Sequence, residues 1–253
     1  MGFLSSFQAR AKRKAAHRLG NQGLAHLGRL NLTDAERALN GALSLFRDIG
    51  DKAAEGTTYT HLAAVAQQQE DPDQAEAHLR SAAALFDEAG DTDGQATVAS
   101  NLGVIKLARQ DWDGAEQEFR AARKLYQAAG NKEGVAHSHG GVGLAHLGRK
   151  DYDAAAKSIQ TSIDGFEAID QRHGLAPMLV NLAETYYRQE RIEDAVEKWD
   201  HAQEIYRGLG EMQAAESIQE RIDRAEAGEP PDDDDLTGGD GSNRGGSGKA
   251  VTP

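Results

Sequence analysis

The chain restates itself every forty residues, and a repeat limits what it can fold into more than any single motif does. The pairs Leu45-Phe46, Leu85-Phe86, Leu125-Tyr126, Gly165-Phe166 and Ile205-Tyr206 recur at that interval, and four residues after each aromatic comes Gly50, Gly90, Gly130, Asp170 or Gly210. Five copies keep register without an insertion or deletion. Ala35, Ala75, Ala115, Ala155 and Ala195 form an unvarying column, followed four residues on by Leu39, Leu79, Phe119, Ile159 and Trp199, and three beyond those by Ala42, Ala82, Ala122, Ser162 and Ala202. Spacings of four and three trace one face of an α-helix, with small residues where a neighbour comes close and large ones filling the gap. Twelve residues before each invariant Ala stands Gly23, Ala63, Gly103, Gly143 or Ala183, often after an aliphatic such as Leu62, Leu102, Val142 or Leu182. That column predicts a first helix in every repeat.

The turns agree with two helices per repeat. Gly50, Gly90, Gly130 and Gly210 suit the left-handed residue that closes a helix, and Asp51, Asp91 and Asn131 are placed to cap the next one. Between the paired helices, Asp71-Pro72, Asp111-Trp112-Asp113 and Asp151-Tyr152-Asp153 read as short polar turns with a capping residue. The expected organisation is an arm at 1–10, repeats at 11–50, 51–90, 91–130, 131–170 and 171–210, a capping helix at 211–227, and a disordered acidic, Gly-rich tail at 228–253. Pro177 is expected to delay or kink the first helix of repeat five and to widen a groove there. Residues 16–29 are nearly restated at 136–149, which suggests growth by duplication.

The small-aliphatic first helix and the Ala-x3-large second helix resemble the tetratricopeptide repeat family, through Leu182-Ala183-x2-Tyr186 and Ala115-x3-Phe119. The forty-residue period is similar to the long-helix variant of cell-polarity adaptors and kinesin light chains. HEAT and armadillo repeats share the period but not this column chemistry. The resemblance implies an all-α, right-handed superhelical solenoid of helix-turn-helix repeats, whose first helices line a concave wall. It also implies a non-enzymatic adaptor that binds a partner peptide or helix in that groove.

Other functions find little support. A formal charge of −13 argues against nucleic acid as partner, since phosphate contacts need clustered Lys and Arg. With no cysteine there are no disulfides or thiolate metal sites, and a reducing, cytoplasmic setting is the expectation. No run reaches the roughly 20 apolar residues that span a bilayer. His137, His139 and His146 lie close in sequence without a metal-binding spacing, and duplication accounts for His17 with His137 and His26 with His146. Gly245–Ala250 looks like a phosphate-binding loop but lacks its first Gly and its final Ser or Thr. Neither catalysis, metal nor cofactor is expected.

The candidate binding column reads Asn21, His61, Asn101, Gly141, Asn181, two residues before each small packing residue. Asn is a modest helix former that offers both a donor and an acceptor, so its recurrence needs a reason. By resemblance to the polarity adaptors, Asn101-Leu102-Gly103 and Asn181-Leu182-Ala183 would grip a ligand backbone; the alternative is that the amides staple adjacent repeats. His137, Thr57, Thr97, Thr60, Ser100, Gln68, Glu184 and Arg188 are expected on the same wall. A second surface is the amino terminus, where Phe3, Leu4 and Phe7 share a stripe flanked by Arg10, Lys12, Arg13 and Lys14. It reads either as a capping helix packed on repeat one or as a helix lying on an anionic membrane. Residues 1–33 hold six bases and no acid, against 22 bases and 41 acids in the remainder. Two further functions stay open: a membrane-peripheral organiser anchored by residues 1–18, and a ligand-sensing regulatory subunit.

Overall fold

A computed structural model describes the backbone of residues 2–230 and the side chains of residues 7–230. The tail from 231 onward and the side chains of Phe3 and Leu4 lie outside the described residues. Among these, the fold is all-α: α1 (Gly2–Leu27), α2 (Leu32–Ile49), α3 (Lys52–Gln68), α4 (Pro72–Ala89), α5 (Thr92–Ala108), α6 (Trp112–Ala129), α7 (Lys132–Gly148), α8 (Tyr152–Glu167), α9 (Arg172–Arg188), α10 (Ile192–Leu209) and α11 (Met212–Glu226). The chain divides into two compact units, residues 1–105 with 121–134 and residues 106–120 with 135–253. In the first unit α1 packs on α2, α2 on α3 and α3 on α4; in the second, α8 packs on α9, α9 on α10 and α10 on α11.

One residue at each of several joints serves two helices. The backbone N–H of Asp51 donates to the Phe46 carbonyl (3.0 Å) and closes α2, while its carboxylate accepts from the Ala54 N–H (3.3 Å) and opens α3. Asp71, Asp91, Asp111, Asn131 and Asp151 repeat the device, with side-chain caps to Gln74, Gly94, Gly114, Gly134 and Ala154. The residue before each is left-handed. Gly50, Gly90, Gly130 and Gly210 take this role after second helices with φ of 65–80°. After first helices it falls to Leu30, Glu70, Gln110, Lys150 and Glu190, at φ of 58–61° and forty residues apart, where a side chain strains against its own carbonyl.

The columns are the core. Ala35, Ala75, Ala115, Ala155 and Ala195 are fully buried, as are Ala42, Ala82, Ala122, Ser162 and Ala202, with the large residues between them. Close approach is enforced by absent side chains: a Cβ on Gly23 would meet Leu39 Cγ at 2.6 Å, and one on Gly143 would meet Ile159 Cγ1 at 2.5 Å. Ser162, the exception in its column, donates from Oγ to the Ala136 carbonyl (2.7 Å), so its polar atom is satisfied in the interior.

Two local expectations differ from the structure. Helix α1 runs unbroken from Gly2, so residues 2–10 continue the first helix of repeat one. Helix α9 begins at Arg172, five residues ahead of Pro177, so the proline does not delay it. Pro177 has no N–H to donate to the His173 carbonyl, so that one helical bond is absent while the helix continues through it.

Candidate functional site

In the first unit the first-helix column is accessible and polar. Asn21 is exposed and Asn101 half-exposed, and among the described residues no hydrogen bond ties either side chain to a neighbour. The hydroxyls around them are occupied by their own helices: Thr57 Oγ1 donates to the Ala53 carbonyl (3.0 Å), Thr60 to Gly56 (3.1 Å) and Thr97 to Asp93 (3.0 Å). Thr97 also accepts from the Tyr126 hydroxyl at 3.2 Å. Ser100 is half-buried and Gln68 exposed. His61 is half-buried, and burial pushes its imidazole pKa below the ordinary 6.5.

The second unit treats the same register differently. His137 is exposed and stands edge-on to the Phe166 ring at 4.9 Å, as His17 does to Phe46 at 5.2 Å. Asn181, Glu184 and the side chain of Arg188 are buried rather than presented on an open wall. Arg188 Nε lies 2.7 Å from Glu184 Oε1, and Arg221 of α11 approaches the other Glu184 oxygen at 3.5 Å. Beyond α11, the Glu229 carbonyl accepts from the Tyr187 hydroxyl, and the Glu229 carboxylate pairs with Arg224 (3.0 Å). The helix and the residues after it thus cover this part of α9.

Gly141 breaks the Asn column for a steric reason. A Cβ there would collide with the Phe119 ring, and the residues at the register of Phe119 in repeats one and two are the smaller Leu39 and Leu79. A charge cluster not anticipated from the sequence joins Arg149 to Asp113 and Glu116, which hold its guanidinium pKa up, first through the Glu116 hydrogen bond. Its acids stand thirty-odd residues earlier, at no motif-like spacing.

Of the amino-terminal residues, Phe7, Arg10 and Lys14 are exposed. Lys12 and Arg13 pair with Asp48 (2.8 Å) and Asp51 (3.2 Å). No helix among the described residues is long and apolar enough to cross a membrane, and no group of three His, Asp or Glu there is placed to hold a metal ion.

The fold is shared with aspartyl phosphate phosphatase F from Bacillus subtilis, at TM-score 0.73 and 12% identity over 88% of this chain and 57% of that one. A Rap protein complexed with Competence and Sporulation Factor is similar at TM-score 0.62 and 14% identity, over 85% of this chain and 64% of that one. PilF of Pseudomonas aeruginosa is similar at TM-score 0.58 and 19% identity, over 86% of this chain and 95% of that one. The chain therefore spans less than two thirds of the length of the phosphatase and of the Rap protein. No curated protein matches this sequence. A family model for the tetratricopeptide repeat matches residues 14–88 and 94–168, which is more than half of the chain, and the protein belongs to the tetratricopeptide repeat family.

Proposed function

We propose that the protein is a non-enzymatic adaptor that holds an extended or helical segment of a protein partner against its first helices. The observation that carries this reading is the pair Asn21 and Asn101: amides at one register of repeats one and three, with His61 between them in repeat two, reachable from solvent and bonded to no described neighbour. An Asn side chain offers a backbone both a donor and an acceptor, as an adjacent strand would. A neighbour in fold that is solved with Competence and Sporulation Factor supports a surface of this type taking a partner. Asn181, buried in α9, belongs to the interior rather than to the binding column.

Peptides selected by display on the purified full chain provide the test. The N21A/N101A variant should bind them more weakly by about 1–3 kcal/mol, because ligand groups are left unpaired. Its melting temperature should stay put, since exposed substitutions shift stability by roughly 0.5 kcal/mol or less. Unchanged affinity, or a lowered melting temperature with affinity intact, would return the amides to a stapling role.

A further inference from the structure

The two terminal helices carry opposite charge on faces whose registers are covered in the other repeats. In later repeats, the first-helix positions facing the preceding repeat are small or apolar: Gly94, Gly134 and Gly174 lie under Phe86, Tyr126 and Phe166, and Thr58, Val98, Ser138 and Met178 are buried. At the same registers α1 has Lys14 and Arg18, both exposed. With Arg10 one turn earlier they form a ladder of three cations that no described acid pairs, beside Phe7, which is 67% exposed.

Helix α11 inverts the pattern. It buries Ala215, Ile218, Ile222 and Ala225 as a first helix buries its edge toward the preceding repeat. Its other side falls on registers that pack, in the five repeats, onto their own second helix. There the buried column Ala16, Gly56, Ala96, Ala136, Ala176 becomes Glu216, and the buried column Gly23, Ala63, Gly103, Gly143, Ala183 becomes Asp223. Glu220 and Glu226 complete an exposed acidic face, bordered by Arg224, which pairs with Glu229, and beside Met212 at 54% exposure.

A solenoid needs polar ends to stay soluble, and Ser, Gln or mixed charges meet that need. Segregation by sign goes further. It makes the amino-terminal edge of one molecule complementary to the carboxy-terminal edge of another, with ladders of three- or four-residue spacing and an apolar residue on each side.

We propose that the protein associates head to tail with a second copy of itself, the Phe7-Arg10-Lys14-Arg18 face of α1 docking on the Met212-Glu216-Glu220-Asp223 face of α11. This surface is separate from the Asn column and does not depend on its reading. Such an interface is heterologous, so association continues past the dimer unless the rotation closes a ring. Exposed ion pairs are individually weak and are screened within about 8 Å at physiological salt, so the contact forms at low ionic strength and fades as salt is added.

Sedimentation velocity of the full chain over a concentration series, in 20 mM and then 500 mM salt, tests this. The mass should rise past the dimer in low salt and return to monomer in high salt. R10E/K14E/R18E and E216K/E220K/D223K should each weaken self-association about tenfold or more, and an equimolar mixture of the two should recover it. All six positions are solvent-facing, and a circular-dichroism melt confirms that each variant folds; Gln at the same positions replaces any charge reversal that does not. A monomer at every concentration in low salt overturns the proposal, as does association that survives both reversals. Replacing Asp232–Asp235 by Ser should change nothing, and loss of association there would name the tail as the acidic partner instead. Monomers that bind anionic vesicles through Arg10, Lys14 and Arg18 would give the face to a lipid surface.

Discussion

Helices α3 and α9 hold the same place in their repeats and are each 17 residues long, yet from the Asn register onward one leaves its polar side chains at least partly open to solvent and the other buries them. In α3, Thr57 and Gln68 reach solvent and His61 is half-covered. In α9, Asn181, Glu184 and Thr185 are buried, and the Glu184 carboxylate is held between Arg188 and Arg221. For Glu184 and Tyr187 the covering neighbour is the carboxy-terminal segment. Repeat five is succeeded by α11 and by Glu229, which supply Arg221 and a carbonyl for Tyr187, so groups that elsewhere would meet a partner already have one. Position in a repeat sets which way a side chain points, and the neighbouring element decides whether it is available.

The largest effect expected from this contrast is on Glu184. Removing it takes the shared carboxylate from the buried Arg188 and from Arg221, and E184A should lower unfolding stability by about 3–5 kcal/mol. Urea denaturation measures this; a midpoint near wild type would mean that α9 is as open as α3. Next in size is Gly141. Restoring the column with G141N should cost about 1–3 kcal/mol through collision with Phe119. Adding F119L, the residue that repeats one and two use there, should recover part of that loss, and strictly additive costs would break the steric coupling.

The smallest effect is the pH response of His61. Burial holds its folded pKa below the unfolded value of 6.5, so the unfolded chain takes up a proton first as pH falls. Its contribution is therefore complete above 6.5 and declines as pH drops below that value toward the folded pKa. His78 titrates in the same direction, although Glu36 opposes its shift. H61N, which puts the column's own Asn in place, should flatten melting temperature against pH between 7 and 5. An unchanged slope would locate the proton uptake elsewhere.

The helical hairpins were readable because each stacking contact is a size constraint repeated five times: Ala195 and Trp199 tell the same story as Ala35 and Leu39. The Asx joints were readable for a related reason, since capping demands one of a few side chains. The left-handed turns after first helices were not, because Leu30, Glu70, Gln110, Lys150 and Glu190 share a position and no chemistry. Nor was the burial of Glu184 and Arg188, which depends on a helix thirty-odd residues further on. The Asn column could be found by its period, but only the packing separates Asn101, which solvent reaches, from Asn181, which it does not.

Ser162 finds the Ala136 carbonyl 26 residues back, Lys12 finds Asp48 36 residues ahead, and Asn131 finds Asp93 across 38. Contacts that close within about one repeat give a low contact order, and such chains fold fast because little loop entropy is spent before each contact forms. For a protein made from its amino terminus, the interval also sets a schedule. By the time the ribosome has added one more hairpin, the previous one has its partner within reach, so folding can keep pace with synthesis and need not wait for the last helix to emerge.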